Sequence, residues 1–213
     1  MCIAIPRRTN WVTAAWRPTH DDLCDLPSER PVEDEAGGAV MPQTRSIPVL
    51  ETERLILRGP QYSDLDAMAA FNASPRSHFI GGPKDRADTW RSLIGMLGHW
   101  QIRGYGFWML EDKATQQTAG ALGIINHEGW DEPELGWHLY DAFEGKGYAF
   151  EGATAARSYA AKTWGIAAPI SYIDPANTRS IALATRLGAV FERDGVVVGH
   201  PVHVYRHPKT EVV

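Results

Sequence analysis

Phe143-Glu-Gly-Lys-Gly-Tyr-Ala-Phe-Glu-Gly152 is the stretch that decides the fold: two glycines flank a lysine, and the chain then passes directly into an alanine-rich amphipathic segment. Gly145 and Gly147 lack a Cβ, so the backbone there can bend sharply and bring its N–H groups close to a charged group. From Tyr148 to Trp164, Ala149, Ala153, Ala156, Ala160 and Trp164 recur at spacings of four, three, four and four, which predicts a helix with Gly165 as its left-handed stop. The first-turn amides of such a helix have no intrahelical partner and lie at the positive end of its dipole. The stretch therefore predicts an anion cradle fit for a phosphate or diphosphate.

The flanking residues choose among phosphate loops. A Walker loop needs Gly-Lys followed by Ser or Thr to hold magnesium, whereas Lys146 is followed by Gly147. A dinucleotide fingerprint needs a third glycine, where Phe150 stands, and opens the first unit of a parallel sheet rather than arriving this late. What remains is a pattern of Gln or Arg, two residues, Gly, one residue, then Gly or Ala. Gly147 and Ala149 match it, and the stretch resembles the acetyl-CoA loop of the GNAT N-acetyltransferase superfamily. Glu144 takes the first position, so a Gln or Arg side-chain hydrogen bond is replaced while the backbone cradle is kept.

The resemblance runs on both sides of the loop, over roughly residues 50 to 207. Glu134-Leu-Gly-Trp-His-Leu-Tyr140 alternates as a strand, with Leu135, Trp137 and Leu139 on one face and Glu134, Gly136, His138 and Tyr140 on the other. It looks like the family's central strand, which splays from its neighbour and pairs with the pantetheine arm; that implies Leu139, Tyr140 and Asp141 beside the cofactor. Asp174-Pro-Ala-Asn-Thr-Arg-Ser180 leads into a helix ending at Gly188, and Asn177, Ser180, Leu183 and Gly188 match the family's Asn-x-x-Ser motif. Ala184 stands where many members carry a tyrosine acid, and Ala189 replaces an aromatic. Phe79-Ile-Gly-Gly-Pro83 falls where the family varies its acceptor side.

The remaining pattern is read as strand Arg54–Arg58, a helix capped by Ser63 or Asp64 and running to Phe71, and a helix Thr89–Arg103 ended by Gly104. Strands Phe107–Glu111, Gly120–His127 and Glu134–Tyr140 follow, then the Tyr148 helix, strand Pro169–Ile173 and the Asn177 helix. A final pair, Ala189–Arg193 and Val197–Arg206, is expected to turn at Asp194-Gly195. This order is that of an α/β (α+β) GNAT fold: a mixed, mostly antiparallel sheet of about seven strands flanked by about four helices.

With 213 residues and 44% hydrophobic content the chain can bury one sizeable core. A net charge of −5 with no polybasic block argues against nucleic acid as a partner. No apolar run approaches the roughly 20 residues needed to cross a bilayer, and no secretory signal pattern opens the chain, so a soluble cytoplasmic monomer or homodimer is expected. Six of the fourteen prolines fall at or before Pro48, and residues 1–47 also hold the acidic Glu33-Asp-Glu35 and both cysteines, Cys2 and Cys24. They read as an unstructured leader before a domain over 48–208 and a tail over 209–213. Trp11, Val12 and Trp16 offer an alternative, a small docking segment. Met41 offers another: the sequence from there resembles a natural GNAT opening, so residues 1–40 are read as a possible over-extended start.

The resemblance implies direct attack of an amine on the thioester of acetyl-CoA, with the protein holding the cosubstrate, taking a proton from the ammonium and stabilising the departing thiolate. The candidates for holding are Leu139, Tyr140, Asp141, Gly145, Lys146, Gly147, Tyr148, Ala149 and Asn177. Asn177 is equally an N-cap. Ser180 is the candidate proton donor, or else a serine bonded to its own backbone. Glu134 and His138 are the candidate bases, with a water chain as the alternative. His200, His203 and His207 invite a metal assignment, but positions 200 and 203 face opposite ways on an extended strand, so no metal site is expected. Trp90, Trp100, Trp137 and Trp164 are read as core, and Trp108 and Trp130 are left open. Glu51-Thr-Glu-Arg-Leu-Ile-Leu-Arg58, the Gly-Trp-x-Leu strand and the Asn-x-x-Ser helix look most similar to the ribosomal-protein-alanine type, a resemblance that implies protein N-termini, small amines or amino-acid-like compounds as acceptors. The rival readings are a non-catalytic acyl-CoA-binding or partner-binding module and an NTP-binding phosphotransferase, which Gly147 after Lys146 argues against.

Overall fold

Leu55 and Leu57 are fully buried while Ile56 and Arg58 between and after them are only half-buried, the period-two signature of a strand with one face on a core. The computed structural model describes residues 45–210. Residues 1–44, with Cys2, Cys24, the Trp11–Trp16 segment and Met41, and residues 211–213 of the tail lie outside the described residues. Packing has begun by Arg45, whose N–H donates to Gln101 Oε1 at 2.9 Å, and Trp108 Nε1 donates to the Pro48 carbonyl at 2.7 Å.

The strands are β1 (Leu50–Glu51), β2 (Leu55–Arg58), β3 (Phe107–Asp112), β4 (Thr118–Ile125), β5 (Glu134–Leu139), β6 (Ile170–Ile173), β7 (Val190–Val197) and β8 (His200–Arg206). They form one sheet in the order β1-β2-β3-β4-β5-β6-β8-β7, antiparallel throughout except where β5 meets β6. The helices are α1 (Leu65–Asn72), α2 (Arg86–Arg103), α3 (Tyr148–Trp164) and α4 (Thr178–Arg186), joined by short 3-10 turns at Tyr62–Asp64, Pro75–Ile80 and Asp141–Phe143. The two-residue β1 brings the strand count to eight rather than about seven.

α3 follows the alanine spacing residue for residue: Ala153, Ala156 and Ala160 are fully buried, and the helix stops at left-handed Gly165. It lies so close to the sheet that a Cβ on Gly152 would fall 2.8 Å from Leu122 Cδ2. Trp100 and Trp108 are buried edge to face at 5.0 Å, and Trp164 stacks on Trp108 at 5.5 Å. Trp90 departs from the expected core: it is 42% exposed on the outer face of α2, edge-on to Tyr62. α2 also starts earlier than expected, because Asp85 caps it by accepting the Asp88 N–H at 2.8 Å.

Two further expectations are corrected. Asp64 does not cap α1; its buried carboxylate accepts two hydrogen bonds from Arg58, one from Thr118 Oγ1 and one from the Gln61 N–H, tying β2, β4 and the first helix together. The last hairpin turns at Val198-Gly199, not at Asp194-Gly195: Val197 pairs with His200, and both turn residues have positive φ, 51° and 80°. Asp194 and Gly195 continue β7 opposite His203 and Val202.

Candidate active site

The Tyr140 N–H donates to the Ala119 carbonyl at 2.8 Å, which fixes the hydrogen-bonding phase of β5. Main-chain groups alternate direction along a strand, so those of Gly136, His138 and Tyr140 face β4 and those of Leu135, Trp137 and Leu139 face the other way. On that other side β6 pairs with β5 only at Glu134 and Ile170. Ser171 Oγ then donates to the Leu135 carbonyl at 2.6 Å, and the Glu134 carboxyl accepts the Tyr172 N–H at 3.3 Å. Beyond that point the strands part, and the peptide groups of Trp137 and Leu139 face the gap with no strand opposite among the described residues.

The gap separates two cavities. One, of about 590 Å³, is bounded by Phe71, Arg76, His138, Leu139, Gly145 and Ala149 among others. The second, of about 660 Å³, has Glu134, Leu135, Phe107, Trp130 and Tyr172 in its walls. Phe79, Ile80, Trp137, Asn177 and Ser180 belong to both, so these five residues mark the junction.

At the outer end of the smaller cavity, Gly145 and Gly147 take left-handed φ of 71° and 81°, and a Cβ on Gly145 would meet nothing within 4 Å. The N–H groups of Gly145 to Phe150 make no hydrogen bond to any described residue. The loop is held from behind instead. Arg54 donates to the Lys146 carbonyl at 2.8 Å and pairs with Glu151, which also accepts from Thr52 Oγ1 and the Arg54 N–H. Burial pushes the Glu151 carboxyl up, but those hydrogen bonds outweigh it and hold the group below the ordinary carboxylate range. The Tyr148 ring is buried under Arg54 and its hydroxyl donates to Asp112 at 3.1 Å, so Tyr148 offers its amide rather than its side chain.

Glu144 accepts from both Arg76 and Arg179, the latter at 2.6 Å, and Arg76 also pairs with Asp141 at 2.9 Å. Two guanidinium groups are thereby gathered at the cradle, which fits the residues present to a diphosphate despite the two carboxylates. Sequence reading missed both arginines: they lie 68 and 35 positions from Glu144, and no local spacing reports such a pairing. Tyr140 is turned away from the gap. Its N–H is committed to Ala119, its ring is buried, and its hydroxyl has no hydrogen-bond partner among the described residues.

The two candidate bases share a strand face but not a cavity. Glu134 is 8% exposed in the wall of the larger cavity, where burial pushes its carboxyl up to about 8 against the opposing Tyr172 hydrogen bond. His138 lines the smaller cavity, stacked on Phe71 at 5.2 Å, and burial together with Lys84 lowers its imidazole to about 4. It is uncharged at neutral pH and a weak base. Asn177 Oδ1 accepts the Ser180 N–H at 3.2 Å, so Asn177 is the N-cap of α4 and faces both cavities. The Ser180 hydroxyl makes no hydrogen bond to a described residue. Ala184 is fully buried with Ile173, Ala189 and Tyr205 and lines neither cavity. Among the described residues no three of His, Cys, Asp or Glu are grouped to hold a metal, and no helix is long and apolar enough to cross a membrane.

A sheet splayed beside a glycine loop that feeds a helix defines the class. Residues 54–190 match the acetyltransferase (GNAT) domain family, and the chain belongs to it. An acetyltransferase from Agrobacterium tumefaciens superposes with a TM-score of 0.71 at 38% identity, covering 78% of this chain and 96% of that one. The [ribosomal protein uS5]-alanine N-acetyltransferase of Escherichia coli is 29% identical over 156 residues, 68% of this chain and 79% of its own length. A ribosomal L7/L12 alpha-N-protein acetyltransferase solved in complex with coenzyme A shares the fold, with a TM-score of 0.63 at 20% identity, covering 75% of this chain and 97% of that one.

Proposed function

We propose that the chain transfers the acetyl group of acetyl-CoA to a primary amine. The observation that carries this reading is the meeting of two cavities over the open edge of β5, one ending in free amides and arginines, the other at a buried carboxyl. In this reading the diphosphate rests on the amides of Gly145 to Phe150 with Arg76 and Arg179 beside it. The pantetheine arm pairs with the main-chain groups of Trp137 and Leu139, and Asn177 caps α4 alongside.

The thioester supplies an electrophilic carbonyl carbon at the junction. Glu134, directly or through one water, takes a proton from the ammonium held in the larger cavity. The freed nitrogen lone pair attacks the carbonyl carbon, a C–N bond forms and the C–S bond breaks with its electron pair on sulfur. The second nitrogen proton then passes to the sulfur, and Ser180 donates a hydrogen bond to the thiolate as it leaves. His138 acts as a neutral wall of the smaller cavity.

Ala184, in place of a tyrosine acid, favours a second reading in which the chain binds acyl-CoA without chemistry. Thiol release from acetyl-CoA across an amine panel, with products weighed by mass spectrometry, separates the two. Amine-dependent release matched mole for mole by N-acetyl product supports transfer; coenzyme A binding without release contradicts it.

A further inference from the structure

We infer that the acceptor is a small primary amine carried on an apolar or aromatic body and bearing no carboxylate. The inference rests on the acetyl-transfer reading of the larger cavity and narrows it to a substrate class.

The first observation is the charge of the lining. Among the described residues that bound the larger cavity there is no Lys or Arg, and the acids are Glu134, buried in the wall, and Asp174, half-buried. Arg193 does not line the cavity and is paired with Asp131 at 3.0 Å. His78, His127 and His200 do line it, and burial, with His99 and Arg103 nearby, pushes the His127 imidazole below its ordinary value, which disfavours its cationic form. An acceptor carboxylate would enter a site with two acids and no permanent positive charge to pair with it. Stripping its water there is unfavourable, so the lining excludes amino acids as well as accepting amines.

The second observation is the aromatic wall. Trp130 and Tyr172 meet edge to face at 5.5 Å and form a corner, with Phe107 and Trp137 on the same cavity and Leu135 fully buried behind. Aromatic faces attract an ammonium and bury an apolar body equally well. At about 660 Å³ the space is that of a small-molecule pocket. Phe79 and Ile80 on one side and Val197 and Val198 of the β7–β8 hairpin on another bound it, adding apolar surface to the aromatic corner.

Matched pairs at pH 8 test the inference: phenethylamine against phenylalanine, tryptamine against tryptophan, and both amines against an alanine-starting tripeptide. Thiol release gives kcat/KM, and calorimetry with coenzyme A present gives affinity without turnover. The expected result is a preference of at least tenfold for each amine over its amino acid and over the tripeptide, in both measurements. Equal or better use of the amino acids or the tripeptide overturns the inference. If no amine releases thiol while calorimetry keeps the tenfold preference, the substrate class stands and the acetyl-transfer reading falls.

Discussion

The Glu134 carboxyl accepts the Tyr172 N–H at 3.3 Å, so a side chain of β5 occupies the place a β5 carbonyl would hold if the two strands ran on as a pair. One group thus stands at the foot of the splay and in the wall of the larger cavity. The strand separation and the placement of the proposed base are the same feature.

Glu134→Gln keeps an oxygen for the Tyr172 amide and removes the base. Its kcat is expected to fall at least 100-fold, within the range general-base catalysis supplies. The affinity for coenzyme A should stay within twofold. In the native protein kcat/KM should rise with pH through an apparent value near 8, and the variant should lack that limb; a variant that keeps the limb removes Glu134 from the role.

The same carboxyl has a stability signature. Its folded value of about 8 lies above the ordinary 4.5, so the folded state holds a proton that the unfolded state releases across that window. Its contribution is fully present below about 4.5 and is lost as pH rises through 8. The melting temperature of Glu134→Gln minus that of the native protein should therefore grow from pH 5 to pH 9. A difference that is flat with pH contradicts the buried, protonated carboxyl.

Glu144→Gln takes a fixed negative charge from the cradle, releasing Arg179 and leaving Arg76 paired with Asp141 alone. A repulsion of about 1 kcal/mol between near-surface charges corresponds to about fivefold in affinity. Coenzyme A should bind about fivefold more tightly at low salt, by calorimetry, with the gain shrinking as salt is raised. Weaker binding would mean that Glu144 positions the arginines productively as it stands.

Glu151→Ala strips Arg54 and Thr52 of their shared acceptor. Loss of a charged hydrogen-bond acceptor in a partly buried place costs about 1–3 kcal/mol. At about 2–4 °C per kcal/mol for a chain of this size, the melting temperature should fall visibly. Coenzyme A affinity should fall with it, because Arg54 also holds the Lys146 carbonyl. A lower melting temperature with unchanged affinity would separate the clamp from the cradle.

What the sequence made legible was local. α3 is readable to the residue because alanine spacing and a stop glycine act within a few turns of one another, and the same holds for the two left-handed glycines before it. The hairpin misled because Asp194-Gly195 has good turn chemistry, while register places the turn at Val198-Gly199, a choice made by pairing across to β8. For Tyr140, period two gives the face of the side chain but not which neighbour its N–H meets, which is Ala119 of β4. The division of Glu134 and His138 between cavities depends on elements from four parts of the chain, as does the pairing of Glu144 with Arg76 and Arg179. No window of one strand contains that information.

The central claim is that unpartnered main-chain amides from Gly145 to Phe150 grip the diphosphate of coenzyme A. Amide NMR of the labelled protein during titration with coenzyme A, with inorganic pyrophosphate as competitor, reads it directly. The account predicts that the Gly145 and Gly147 resonances move with the ligand and return as pyrophosphate displaces it. Coenzyme A binding that leaves those two resonances unmoved would contradict it.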